Sequence, residues 1–82
     1  MIRIKVKLFS ILREMAARQD LELDLSKGSS CQDAILQLKG IFGFPESLLE
    51  RVLVAVNGVY SARGAFLSNG DEFALLPPLS GG

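Results

Sequence analysis

The sequence predicts an α+β domain in which a mixed sheet of four or five strands is crossed on one face by a single main helix. Three observations lead there. Ile2, Ile4, Val6 and Leu8 alternate with Arg3, Lys5 and Lys7, the period of a strand with one buried face. Cys31, Ala34, Ile35 and Leu38 fall at i, i+3, i+4 and i+7, the stripe of an amphipathic helix. Asn57-Gly58, between two apolar runs, is a strong signal for a tight hairpin.

The other elements follow in order. Phe9 continues the first strand onto the face away from the core. Ser10 is placed to cap a short helix, in which Ile11, Leu12, Met15 and Ala16 recur at helical spacing up to about Arg18. Leu21, Leu23 and Leu25 alternate with Glu22 and Asp24 as a second strand, closed by a turn at Ser26-Lys27-Gly28. Ser30-Cys31-Gln32-Asp33 has the form of a capping box with Asp33 in the acidic position, and it opens the main helix. Gly40 is the expected stop. The Gly43-Phe44-Pro45 corner leads to a helical turn from Glu46 to Glu50, with Phe42, Phe44, Leu48 and Leu49 as a lid on the core.

Val52 to Val56 is apolar on both faces, which fits an interior strand. The hairpin turns into a short strand at Val59-Tyr60, and a loop from Ser61 to Phe66 has Gly64 as its flexible point. A tight turn at Ser68-Asn69-Gly70-Asp71 precedes the last strand, Glu72 to Leu76. Strand, small helix, strand, main helix, strand, short strand, strand is the order of a β-grasp, or ubiquitin-like, fold. In that arrangement the first and last strands lie side by side in the middle, and the second face of the sheet stays partly open.

Composition narrows the function classes. With 82 residues and 8.9 kDa the chain makes one small domain, roughly 4,800 Å² folded against roughly 12,900 Å² extended, which leaves no room for a deep internal pocket. Nine basic and nine acidic residues cancel, so no field is set up to gather nucleic acid or an anionic membrane. Cys31 is the single cysteine and histidine is absent, which removes an intrachain disulfide, Ser-His and Cys-His nucleophile systems and ordinary zinc sites. Glycine spacing fits no phosphate-binding loop. Cys31 reads as a small core residue, and Glu14, Asp20, Glu46 and Glu50 as solvated charges. Arg3, Lys5 and Lys7 form a basic strand face that is either solvated or steers an acidic partner. No apolar run approaches a membrane span, and the charged N-terminal strand does not resemble a signal peptide, so a soluble cytoplasmic protein is expected, with neither nucleic acid nor membrane as partner.

The chemistry is expected at the end of the chain. Residues 1–76 read as the folded domain and 77–82 as an extended tail: Pro77, Pro78, Leu79, Ser80, Gly81 and Gly82. A Pro-Pro pair cannot continue a ladder and sends the chain off in an extended direction, carrying the carboxyl up to roughly 20 Å from the core. Gly-Gly offers bare backbone able to pass through a channel too narrow for any Cβ. The same residues also fit a frayed end without a role. If Phe73 and Leu75 point at the helix, then Ala74 and Leu76 point outward with Phe9, and Tyr60 completes an apolar cluster at the root of the tail. Such a cluster is a docking surface, or else its side chains pack under loops.

These residues carry a resemblance. The run from Gly70-Asp71-Glu72 through Pro77-Pro78 to Gly81-Gly82, the Phe9-Ser10-Ile11-Leu12-Arg13-Glu14 segment and Val56-Asn57-Gly58 resemble the small subunit of molybdopterin synthase, the MoaD sulfur-carrier family. Leu79 stands where valine is more usual. The resemblance implies that Gly82 is adenylated by an ATP-using E1-like (MoeB-like) enzyme and converted to a thiocarboxylate. Its sulfur then passes to cyclic pyranopterin monophosphate in the large (MoaE-like) subunit of a heterotetramer. It also implies that Phe9, Tyr60 and Leu76 dock both partners, that the chain binds no cofactor of its own, and that the catalytic side chains lie on the large subunit. Carriers for thiamine synthesis or tRNA thiolation share the fold and the Gly-Gly end, and a β-grasp interaction module with an inert tail is the remaining alternative.

Overall fold

The computed structural model describes residues 1–78. Eight elements follow one another: β1 (Ile2–Leu8), α1 (Ile11–Ala16), β2 (Asp20–Leu25), α2 (Cys31–Phe42), α3 (Glu46–Leu49), β3 (Leu53–Val56), β4 (Val59–Ser61) and β5 (Glu72–Leu76). The sheet order is β2-β1-β5-β3-β4, with β1 and β5 parallel and the other neighbours antiparallel. The last strand therefore fills the middle of the sheet beside the first.

Alternation along β1 is obeyed to the residue: Ile4, Val6 and Leu8 are fully buried, whereas Arg3, Lys5 and Lys7 are exposed. Val6 and Leu8 lie opposite Phe73 and Leu75, both also fully buried. Cys31, Ala34, Ile35 and Leu38 of α2 join the same core, and Phe44 and Leu49 close one end of it. Truncating a ring buried like that of Phe73 costs about 3–5 kcal/mol.

The main helix starts as its sequence dictates. Ser30 Oγ accepts from the Asp33 N–H at 3.3 Å, and the Asp33 carboxylate accepts from the Ser30 N–H at 2.8 Å, a reciprocal capping box. Two further first-turn donors go to the loop that follows β4: Cys31 N–H to the Ala65 carbonyl at 2.9 Å and Gln32 N–H to the Arg63 carbonyl at 2.8 Å. Arg63 in turn donates from Nη2 to the carbonyls of Leu49 and Val52 at 2.7 and 2.8 Å. The expected loop is thus stitched to α2 and α3. Gly64, expected to be its flexible point, does not use the left-handed backbone region.

Three further expectations are corrected. Gly40 does not end α2. The helix runs on to Phe42 and stops at Gly43, whose left-handed backbone (φ 70°) lets its N–H return to the Lys39 carbonyl. Ser10 stands at the start of α1 but makes no side-chain cap, because its backbone (φ 55°, ψ −125°) is turned away from the extended geometry that capping needs. The helical stripe of α1 is also only half used: Leu12 is buried, while Ile11 and Met15 stay exposed and the helix ends at Ala16. Among the described residues, no helix is long and apolar enough to cross a membrane.

Candidate functional site

The face of the sheet opposite α2 divides into two halves. Cross-strand register places Asp20, Lys7, Ala74, Ala55 and Tyr60 in one row across all five strands. On one side of this row stand Glu22, Lys5 and Glu72; on the other Leu53 is paired with Leu76. The half formed by β2, β1 and the start of β5 at Glu72 is charged, and the half formed by the rest of β5 with β3 and β4 is apolar.

The charged half is internally balanced. Arg3 Nε donates to Asp24 Oδ1 at 2.8 Å and its guanidinium lies 3.6 Å from Glu22, while Lys7 Nζ reaches Glu72 at 2.7 Å. The hydrogen bond from Arg3, with its charge, holds the Asp24 carboxyl below the usual carboxylate range. The bond to Glu72 raises Lys7 in the same way. The basic face read from the sequence is therefore largely neutralised by carboxylates from the neighbouring strands. Being exposed, these pairs orient side chains more than they stabilise the fold.

In the apolar half, the residues expected from strand parity come together. Ala74 and Ala55 form the floor of a shallow depression of about 270 Å³, and Phe9, Tyr60, Leu76 and Gly58 line it. The small floor residues leave room for the larger side chains at its margin. Phe9 lies just beyond β1, yet its N–H still bonds the Leu75 carbonyl at 3.3 Å, so the β1–β5 ladder carries it alongside Leu76. Tyr60 is 68% exposed and Phe9 38% exposed. On the far side, Asn57 (φ 52°) and Gly58 (φ 82°) both take left-handed backbone, the signature of a type I′ hairpin turn.

Leu76 is the last residue of β5, and Pro77 and Pro78 follow outside any strand, as expected. Leu79, Ser80, Gly81 and Gly82 lie outside the described residues. Cys31 is buried, and burial pushes its thiol up, away from the thiolate that reactivity would need. Among the described residues, no group of three or more His, Cys, Asp or Glu could hold a metal ion. The apolar depression is the candidate surface that brings Phe9, Tyr60 and Leu76 together next to Pro77-Pro78.

Residues 6–82 match the ThiS family. The chain belongs to that family. This ThiS-family chain is 36% identical over 81 residues to the molybdopterin synthase sulfur carrier subunit of Arabidopsis thaliana, covering 99% of this chain and 84% of that protein. It superimposes on the crystal structure of SAMP1 from Haloferax volcanii with a TM-score of 0.82 at 32% identity, covering 98% and 99% of the two chains. A Caldiarchaeum subterraneum ubiquitin matches with a TM-score of 0.68 at 15% identity, covering 99% of this chain and 98% of the other, a likeness of fold alone. The ubiquitin-like β-grasp architecture and the likeness to the molybdopterin synthase carrier family, both expected from the sequence, are found.

Proposed function

We propose that this chain is the sulfur-carrier subunit of molybdopterin synthase, with the carboxyl carbon of Gly82 as its working atom. The observation that carries this reading is positional. Leu76, in the apolar depression of the open face, is followed at once by the Pro77-Pro78 pair and the Gly-Gly end. A surface that a partner can grip is thus joined to a segment that leads into that partner's active site. Family membership and the similarity to the Arabidopsis carrier support the same reading.

The chemistry needs two partners. A terminal carboxyl, with a pKa near about 3.5, is ionised at neutral pH and is a poor electrophile. An E1-like enzyme therefore joins it to the α-phosphorus of ATP, releasing pyrophosphate. A sulfur donor then displaces AMP and leaves a thiocarboxylate. The thiocarboxylate sulfur attacks cyclic pyranopterin monophosphate in the large subunit, and water then cleaves the resulting thioester, leaving the sulfur on the pterin and restoring the Gly82 carboxylate. That subunit supplies the acids, bases and phosphate-binding cations, since this chain has no histidine and its described residues form no catalytic set. Phe9, Tyr60 and Leu76 dock both partners in turn.

SAMP1 is a small archaeal modifier protein, and the similarity to it favours one further reading, in which the same adenylate passes to an amine and the chain acts as a protein modifier. Intact mass after incubation with ATP, an E1-like enzyme and a sulfur donor separates these readings. The carrier role predicts a shift matching replacement of one oxygen by sulfur, absent when Gly82 is deleted, and loss of that sulfur on adding the large subunit with its substrate. Conjugates to added protein without sulfur incorporation would replace the carrier reading by the modifier one.

A further inference from the structure

The turn from β1 into α1 contains a feature that none of the chemistry above uses. Ser10 has φ 55° and ψ −125°, close to the mirror image of the first central residue of a type II turn. The Leu12 N–H donates to the Phe9 carbonyl at 3.1 Å, so Phe9 to Leu12 form a hydrogen-bonded type II′ turn with Ser10 at the corner that glycine ordinarily occupies. The side chain of Ser10 is exposed and makes no capping bond. Its left-handed backbone is thus held without help from its own hydroxyl.

What the turn achieves is visible on either side of it. Before it, Phe9 stays on the β1–β5 ladder through its bond to Leu75 and keeps its ring in the depression with Leu76. After it, Leu12 is fully buried in the core on the opposite face of the sheet. Phe9 and Leu12 are three residues apart, and a reversal within that distance needs a tight turn. With Ser10 at an ordinary negative φ, keeping Leu12 in the core would pull Phe9 off the end of the ladder.

We propose that Ser10 is a positioning residue for the docking face: its left-handed backbone holds the Phe9 ring beside Leu76 at the root of the tail. This rests on the docking reading given above for the partners, but its first test does not need a partner. Ser10→Gly relaxes the corner and keeps the turn. Ser10→Val places a β-branched side chain where it is least tolerated. In the free protein, the nuclear Overhauser contacts between the Phe9 ring and the Leu76 methyl groups are retained in Ser10→Gly and lost or halved in Ser10→Val, while the Leu12 contacts with the core persist in both.

Titration with the large synthase subunit of the same organism then shows affinity within about twofold of wild type for Ser10→Gly and at least about tenfold weaker for Ser10→Val. Should Ser10→Val fail to fold, Ser10→Ala gives the same pattern at smaller size. Unchanged Phe9–Leu76 contacts in every folded Ser10 variant other than glycine would overturn the proposal. The docking reading fails separately, if Leu76→Asp binds the large subunit as wild type does.

Discussion

Asn57 and Asp71 lie 14 residues apart, and the Asn57 carboxamide donates to Asp71 Oδ1 at 3.0 Å. The same carboxamide accepts from the Glu72 N–H at 2.9 Å, and the Asn57 N–H bonds the Glu72 carbonyl at 2.8 Å. One left-handed residue thus closes the β3–β4 hairpin and holds the start of β5. Asn57→Ala removes two side-chain bonds and places alanine at φ 52°, so a loss of about 2–3 kcal/mol is expected. Asn57→Gly keeps the turn and loses about half as much; urea unfolding of both variants checks this.

The two glycines near the end of α2 should respond in opposite directions. Gly40 is helical with open space where a Cβ would go, so Gly40→Ala is expected to stabilise by about 0.5–1 kcal/mol. Gly43 also has open space, but its φ of 70° penalises a side chain, and Gly43→Ala is expected to destabilise by about 1 kcal/mol. Melting temperatures of the pair test whether backbone conformation, rather than crowding, decides the sign.

The acid limb of stability should carry the signature of Asp24. Its folded-state carboxyl lies below the ordinary value of 3.8, so the Arg3 bond contributes above that value and is lost as pH falls through the lower, folded one. Unfolding midpoints measured from about pH 5 to about pH 2 should fall more steeply in wild type than in Asp24→Asn, the two converging at the acid end. Added salt should narrow the difference, because both partners are exposed.

Charging should depend on the apolar depression while the fold does not. Phe9→Asp and Leu76→Asp each put a charge into the surface proposed to be desolvated by a partner, so a loss of about 2 kcal/mol or more, roughly thirtyfold in affinity, is expected. Sulfur incorporation per unit time should fall accordingly at limiting activating enzyme, with far-UV circular dichroism unchanged. Normal charging of both variants would remove the docking face from the proposed mechanism.

Local chemistry was readable from the sequence wherever a few adjacent residues determine the outcome. The β1 alternation, the Ser30–Asp33 capping box, the Asn57-Gly58 turn and the outward parity of Phe9, Ala74 and Leu76 are of this kind. Long-range partners were not. Arg63 holds the carbonyls of Leu49 and Val52, and the Ala65 carbonyl caps α2, contacts set by topology across more than ten residues. The element order already placed β5 beside β1, but the register that brings Lys7 to Glu72 is dictated by no property of either segment alone. Ser10 misled for another reason: serine before a helical stripe usually caps it, but the tight turn that carries Phe9 and Leu12 to opposite faces overrides that preference.

The central place of β5 also bears on how the protein is made. A nascent chain that has not yet emitted Glu72 to Leu76 holds β1–β2 and β3–β4 as two separate hairpins, since β1 and β3 are joined only through β5. Neither hairpin has the neighbour it needs for stability, and the pairing that unites them spans most of the chain. Assembly therefore waits for the segment immediately before Pro77-Pro78. Translation products stopped short of Glu72 cannot close the sheet, so the fold is completed only when nearly the whole chain has been made.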